Sequence, residues 1–101
     1  MRQLQRDIHQ NARNHGWWDN PKANIPEKLA LIHSEISEAL EDYRNNKMDM
    51  TFDNGKPVGF PVELADAVIR IFDLAEFLGY DMECKHRYNV GRPYRHGGKA
   101  A

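Results

Sequence analysis

The pattern of apolar and polar positions along the chain predicts a series of helices joined by polar connections. The first predicted helix covers residues 2–14, where apolar side chains recur every four positions: Leu4, Ile8 and Ala12. The next helix is predicted from Pro26 to about Asn45, because proline suits the first helical turn. Its apolar stripe follows a helical spacing and consists of Leu29, Ile32, Ile36, Ala39, Leu40 and Tyr43.

The second half of the chain predicts two more helices. One runs from Phe60 or Pro61 to Leu78 and is ended by a glycine at the following position. A short last helix is capped by Asp81 and ends near Gly91.

The connections contain no pattern that predicts a strand. Residues 46–59 are rich in Asn, Asp, Gly, Lys and Pro and are predicted to form a loop, and residues from about 92 to 101 a loop-rich tail. We therefore expect an all-α protein whose two long helices pack antiparallel in a compact bundle of four-helix type. The 101 residues allow a single domain over 1–101.

Composition narrows the classes of function. The formal net charge is −1, so no global field favours nucleic acid or an acidic membrane. The single cysteine, Cys84, excludes an internal disulfide framework and is typical of a reducing compartment. No apolar run approaches the roughly 20 residues that span a bilayer. We expect a cytoplasmic protein without membrane or nucleic-acid partners.

Two pairs of carboxylates carry the main chemical signal. Glu35 and Glu38 lie three positions apart on the second predicted helix, and Glu63 and Asp66 have the same spacing on the third. Residues at i and i+3 project from nearly the same helix face, so two helices can bring all four acids together. Their mutual repulsion requires a positive charge among them. A divalent cation with all-oxygen ligands, Mg²⁺ or Mn²⁺ in its place, answers that requirement and commonly works beside phosphates.

The third predicted helix strengthens this interpretation. Between Val62 and Ala75 its charged residues form one stripe on an otherwise apolar helix: Glu63, Asp66, Arg70 and Asp73. Such a stripe must face water, a partner charge or an ion. From spacing alone, the alternative is that both acidic stripes are solvated outer faces of an amphipathic bundle.

The segments ALIHSEISEALEDYR and PVELADAVIRIFDLAEFLGYD resemble the all-α nucleoside triphosphate pyrophosphohydrolases, the MazG-like superfamily. Its signature is Glu-x-x-Glu, a variable gap, then Glu-x-x-Asp. The resemblance covers about residues 26–99 and implies that Glu35, Glu38, Glu63 and Asp66 bind Mg²⁺. It also implies a nucleoside triphosphate substrate and a homodimer or homotetramer. Many members have a further Glu where this chain has Ser34.

Polar residues near the C-terminus lie on one face of the last predicted helix at i, i+4 and i+7: Lys85, Asn89 and Arg92. Spacing alone favours a solvated basic helix end over a binding site. The resemblance implies that these three residues bind the substrate phosphates.

Trp17 and Trp18 lie in a polar connection, where exposing an indole is unfavourable. We expect one of them to pack against the bundle and the other to stack on a nucleobase. The sequence does not distinguish the two.

The function predicted from these features is the Mg²⁺-dependent hydrolysis of nucleoside or deoxynucleoside triphosphates to the monophosphate and pyrophosphate. Glu38 or Glu35 is expected to act as the general base, since Glu reaches further than Asp. Two other classes stay open: a non-catalytic helical interaction or regulatory protein, and a nucleic-acid-binding module, which the near-neutral charge disfavours.

Overall fold

The computed structural model describes residues 1–20 and 24–93, and these are mainly helical. Its helices are α1 (Arg2–Asn14), α2 (Ile25–Arg44), α3 (Phe60–Phe77) and α4 (Glu83–Val90). The four predicted helices are confirmed, with ends that differ from the prediction by at most two residues. Most of the predicted tail, residues 94–101, lies outside the described residues. Within the described part, no helix combines the length and apolar character needed to cross a membrane.

Capping hydrogen bonds mark the start of α2 and the end of α3. At the start of α2, the side chain of Asn24 accepts a hydrogen bond from the backbone N–H of Glu27 at 3.0 Å. At the end of α3, the N–H of Tyr80 donates to the carbonyl oxygen of Ala75 at 2.9 Å, and the N–H of Gly79 donates to Glu76 at 3.0 Å. These bonds satisfy carbonyl groups that the end of a helix would otherwise leave unpaired.

The predicted loop between α2 and α3 is wrong over its central part, because a β-hairpin forms there. Strands β1 (Thr51–Asp53) and β2 (Lys56–Val58) pair antiparallel, with Thr51 opposite Val58. The turn residues Asn54 and Gly55 both have positive φ, 51° and 79°. An Asn-Gly turn of this kind matches the twist of two paired strands and is a strong hairpin signal. The three-residue strands carry too little apolar alternation to reveal the hairpin by periodicity.

The hairpin is joined closely to the start of α3. The N–H of Phe60 donates to the carbonyl oxygen of Lys47 at 2.9 Å, which closes the connection at its base. Gly59, with φ of 119°, lies against the backbone at Asp49, where a Cβ would lie 2.3 Å from the carbonyl oxygen. Only glycine fits this approach without displacing the backbone. The hairpin is therefore held against the N-terminal end of α3.

Helix α3 is the centre of the packing and contacts both α2 and α1. The contacts of α2 run in opposite chain order to those of α3, since Glu35 pairs with Arg70 while Glu38 meets Glu63. The two long helices are therefore antiparallel, as predicted. Helix α1 is also antiparallel to α3. Arg2 near its start pairs with Glu76, whereas the later His9 pairs with the earlier Asp73.

The interior of the single chain is small. Among the described residues, the buried hydrophobic side chains are Ala39, Ala67, Leu74 and Ala75. Most of the predicted apolar stripe of α2 is not in this core, since Leu29, Ile36, Leu40 and Tyr43 are 47–61% exposed. On α3, Leu64, Val68 and Ile69 are 42–46% exposed. Rows of half-exposed large apolar residues on two neighbouring helices are typical of surfaces that pack against another chain.

Candidate functional site

The four predicted carboxylates meet where α2 crosses the N-terminal half of α3. One carboxylate oxygen from each of Glu35, Glu63 and Asp66 lies within 4.8 Å of the other two. The carboxyl group of Glu63 is also within hydrogen-bonding reach of that of Glu38. We call these four residues the acid cluster. Its assembly follows from the i, i+3 spacing on each helix together with the antiparallel packing of the two helices.

Like charges are crowded together in the acid cluster, and two of its carboxyl groups have raised pKa values. The pKa of Glu63 is raised to about 7, first by burial and then by the contacts with the carboxyl groups of Glu38 and Glu35. The pKa of Asp66 is also raised, first by burial and then by Glu35, while Arg70 and Lys56 oppose the change. The cluster therefore holds more negative charge than its surroundings neutralise.

Glu35 is the most informative member of the cluster, because its side chain is only partly satisfied. The residue is 7% exposed. Its Oε1 accepts a hydrogen bond from Arg70 Nε at 3.0 Å, whereas its Oε2 is buried with no hydrogen-bond partner among the described residues. A buried carboxylate oxygen without a donor is costly, and a bound cation would satisfy it. The oxygen donors and the unpaired atom together fit a hard divalent cation such as Mg²⁺.

Ser34 takes no part in the cluster. It is exposed, and its hydroxyl group donates to the carbonyl oxygen of Leu31 at 2.6 Å. Ser34 therefore contributes no oxygen to the acid cluster.

A cavity of about 450 Å³ lies beside the acid cluster, bordered by α1, the connection that follows it, α2 and α3. Glu35 and Asp66 line it together with Arg70 and Trp17, and the wall from α1 includes Asp7. This volume lies within the range of about 300–1,000 Å³ that small-molecule sites occupy. The cavity thus joins oxygen donors for a cation to an aromatic surface and a guanidinium group.

The two adjacent tryptophans have different environments. Trp18 is half-buried, and its indole stacks on Phe77 with ring centroids 4.2 Å apart and planes within 10°. Its Nε1–H donates to both carboxylate oxygens of Asp73, at 2.9 and 3.1 Å. Trp17, in contrast, is 56% exposed and lines the cavity. Trp18 is therefore the packed indole and Trp17 the available one.

Asp73 is the centre of a second polar group, which sequence reasoning did not identify. His9 Nδ1 lies 2.7 Å from Asp73 Oδ1, and the imidazole meets the Trp18 ring edge-on at 5.5 Å. We call His9, Trp18, Asp73 and Phe77 the Asp73 cluster. A histidine four positions after Gln5 in α1 gives no sequence signal for this contact, because the contact depends on how α1 lies against α3.

The predicted phosphate-binding residues lie on and just after α4 and are not among the residues that line the cavity. The ammonium group of Lys85 and the guanidinium of Arg92 lie over the Tyr88 ring, at 4.8 and 5.4 Å from its centroid. The Oδ1 atom of Asn89 is buried without a hydrogen-bond partner in the described chain. In the single chain Lys85 and Arg92 are therefore grouped around Tyr88, and none of the three predicted residues lines the cavity beside the acid cluster.

Comparison of the chain with known proteins returns no matching family model, no matching curated protein and no matching solved structure. The resemblance to MazG-like proteins therefore depends on the Glu-x-x-Glu and Glu-x-x-Asp motifs and the residues around them. Function has to be argued from the geometry of the site.

Proposed function

We propose that this protein hydrolyses nucleoside or deoxynucleoside triphosphates to the monophosphate and pyrophosphate with the help of a divalent cation. The observation that carries the proposal is the acid cluster, with the unpaired Oε2 of buried Glu35 among carboxylates whose pKa values are raised. The adjoining cavity, with Trp17 in its wall, supports a nucleotide as the ligand. The family resemblance of the two motifs points to the same reaction.

The residues that would hold Mg²⁺, or Mn²⁺ in its place, are Glu35, Glu38, Glu63 and Asp66. When bound, the cation supplies neutralisation of phosphate oxygens and a lower pKa for a coordinated water. Glu38 is exposed, unlike Glu35, and no basic side chain forms an ion pair with it in the described chain. We therefore assign to Glu38 the acceptance of a proton from the attacking water. Trp17 stacks on the base, which orients the triphosphate relative to the acids.

We propose that the substrate phosphates are bound by Lys85, Asn89 and Arg92. Because these residues do not line the cavity of their own chain, this role requires a second copy of the chain. We propose a homodimer or homotetramer in which the exposed apolar rows of α2 and α3 are covered by a second copy. A C₂ pairing of such rows is the commonest solution for a small helical protein. Sedimentation equilibrium at micromolar concentration tests this, since the mass of one chain would contradict it.

A second candidate function is a non-catalytic helical interaction protein. The half-exposed apolar residues of α2 and α3 favour it, because they suit a foreign helix as well as a second copy. This alternative leaves Glu35 Oε2 and the cavity without a role, and we therefore rank it second.

One experiment separates the two candidates. A panel of ribo- and deoxynucleoside triphosphates is incubated with the protein and Mg²⁺, and the products are separated to distinguish pyrophosphate from single phosphate. The proposal expects pyrophosphate and monophosphate in equal amounts, and neither when EDTA replaces Mg²⁺. An interaction protein releases neither product under any condition.

A further inference from the structure

Arg70 lies at the point where the acid cluster and the aromatic wall of the cavity meet. Its Nε donates to Glu35 Oε1 at 3.0 Å, and its guanidinium carbon lies 5.5 Å from the centroid of the Trp17 ring. Arg70 also lines the cavity itself. A single side chain therefore contacts both a carboxylate of the acid cluster and the indole that is available to a ligand.

Most of the hydrogen-bonding capacity of Arg70 is unused. A guanidinium group has five N–H donors, and the bond to Glu35 uses the one on Nε. The four donors on Nη1 and Nη2 have no acceptor in the part of the chain that the structure describes, although the side chain is 27% exposed and lies in a cavity wall. The ion pair with Glu35 therefore leaves the Nη donors of a cavity-lining guanidinium group available to a ligand.

The charges that line the cavity indicate what these donors would bind. Asp7, Glu35, Asp66 and Asp73 contribute carboxylates, and Arg70 is the one basic residue among the described lining residues. An anionic ligand entering the cavity therefore meets a single cationic side chain. Guanidinium groups bind phosphate through two parallel N–H···O bonds, which carboxylate-rich surroundings cannot provide.

We propose that Arg70 is a substrate contact whose Nη groups bind the phosphate attached to the nucleoside, while its Nε continues to hold Glu35. This inference rests on the proposed function, because it takes the ligand to be a nucleotide with its base against Trp17. A nucleotide that reaches from Trp17 to the acid cluster must pass Arg70, since Arg70 touches both. The role is separate from that of Lys85, Asn89 and Arg92, which would contact phosphates further from the sugar.

The test compares equilibrium binding of nucleosides and their 5′-monophosphates, which cannot be hydrolysed to pyrophosphate. Adenosine, guanosine, cytidine and uridine and the four monophosphates are titrated by calorimetry, in Mg²⁺ and again in EDTA. The quantity of interest is the ratio of nucleoside Kd to monophosphate Kd. In Arg70→Met this ratio is expected to fall at least about tenfold, the effect of losing a charge-assisted hydrogen bond, while nucleoside affinity changes little.

The matched control breaks the Arg70–Glu35 ion pair by changing Glu35 instead of Arg70. Glu35→Gln removes the charge that pairs with Arg70 but leaves the guanidinium group in place, so the ratio in EDTA should stay the same or rise. Arg70→Lys keeps a positive charge without the planar fork and should retain only part of the phosphate preference. A thermal melt of each variant shows that the ratio is measured on folded protein.

Three results would overturn the inference. An unchanged ratio in Arg70→Met, with hydrolysis intact in the wild type, would remove Arg70 as a substrate contact and leave the proposed function standing. An equal fall of the Kd ratio in Arg70→Met and in Glu35→Gln would show that Arg70 acts only by holding Glu35. Failure of the wild type to bind any of the eight ligands would remove both this inference and the nucleotide cavity on which it rests.

Discussion

At its C-terminal end the charged stripe of α3 meets hydrogen-bond donors, and at its N-terminal end it meets other carboxylates. Asp73 accepts hydrogen bonds from Trp18 and lies 2.7 Å from His9, so its charge is satisfied within the chain. Glu63 and Asp66 face Glu35 instead, and their pKa values are raised. The same helix face therefore contains one carboxylate that accepts hydrogen bonds from the chain and two that are crowded by other carboxylates.

The two ends of α3 show how a carboxylate with a structural role differs from one suited to binding a cation. A carboxylate that stabilises the fold has donors of the same chain around it, whereas a carboxylate that binds a cation has like charges and unpaired oxygens. Substitutions at the two ends should therefore have opposite effects on stability and on activity.

The largest expected effect is on catalysis at the N-terminal end. Glu63→Gln and Asp66→Asn keep the shape of each side chain but remove a charge that holds the cation, so Mg²⁺-dependent turnover should fall at least about a hundredfold. Stability should be unchanged or higher, because each change relieves repulsion. Glu41→Gln, an exposed acid on α2, is the control. Near-normal activity in both site variants would show that the cluster is only a charged surface.

The tryptophans extend the comparison, because Trp18 belongs to the Asp73 cluster and Trp17 to the cavity. Trp18→Ala should lower the free energy of unfolding by about 3 kcal/mol, since it removes a packed ring. Trp17→Ala should change stability little and change the ranking of kcat/KM among four bases, by roughly five- to a hundredfold for individual bases. Thermal melts and kinetics on both variants test this. An unchanged base ranking in Trp17→Ala would remove the stacking role.

A substitution of Asp73 gives the matching test at the C-terminal end of α3, where the carboxylate has hydrogen-bond donors. Asp73→Ala leaves the indole N–H of Trp18 and the imidazole of His9 without their acceptor, and should lower the free energy of unfolding by about 2–3 kcal/mol. The exposed Glu41–Arg44 pair, at 3.9 Å, provides the control, and Glu41→Ala should cost less than about 0.5 kcal/mol. Urea denaturation measures both. If the two variants were equally stable, Asp73 would have no structural role.

The smallest effect is the pH dependence of stability in the metal-free protein. The folded-state pKa of Glu63 is about 7, above its ordinary value of 4.5, so the folded state binds this proton more tightly than the unfolded state does. The stabilisation is complete below about 4.5 and is lost as the pH rises to about 7. The melting temperature of wild type minus that of Glu63→Gln, measured in EDTA, should therefore fall over this window. A difference that stays constant from pH 4.5 to 7 would contradict the crowding of these acids.

The sequence was sufficient for the features that depend on local spacing. The helices followed from periodicity and end signals such as Pro26 and Gly79, and the acid pairs from their i, i+3 spacing. The hairpin was missed although Asn54-Gly55 is a hairpin signal, because strands of three residues have almost no pattern of their own. Asn-Gly between short polar segments indicates a hairpin more strongly than composition indicates a loop.

Features that depend on how helices lie against one another could not be predicted. The Arg70–Glu35 pair and the His9–Asp73 contact join residues 35 and 64 positions apart, and each requires the position of one helix relative to another. The different environments of Trp17 and Trp18 have the same origin, since their neighbours in sequence are similar and only Trp18 reaches Phe77. The roles of Lys85, Asn89 and Arg92 stay predictions.

The most direct test of the account is a Mg²⁺ titration followed by thermal melting at pH 8, with wild type and Glu63→Gln side by side. If the acid cluster binds a divalent cation, the wild-type melting temperature rises with Mg²⁺ and reaches a plateau, because the ion binds the folded state and relieves its repulsion. The variant starts from an equal or higher melting temperature and rises much less. An equal rise in both proteins, or no rise in the wild type at millimolar Mg²⁺, would contradict the claim that these four carboxylates form a metal site.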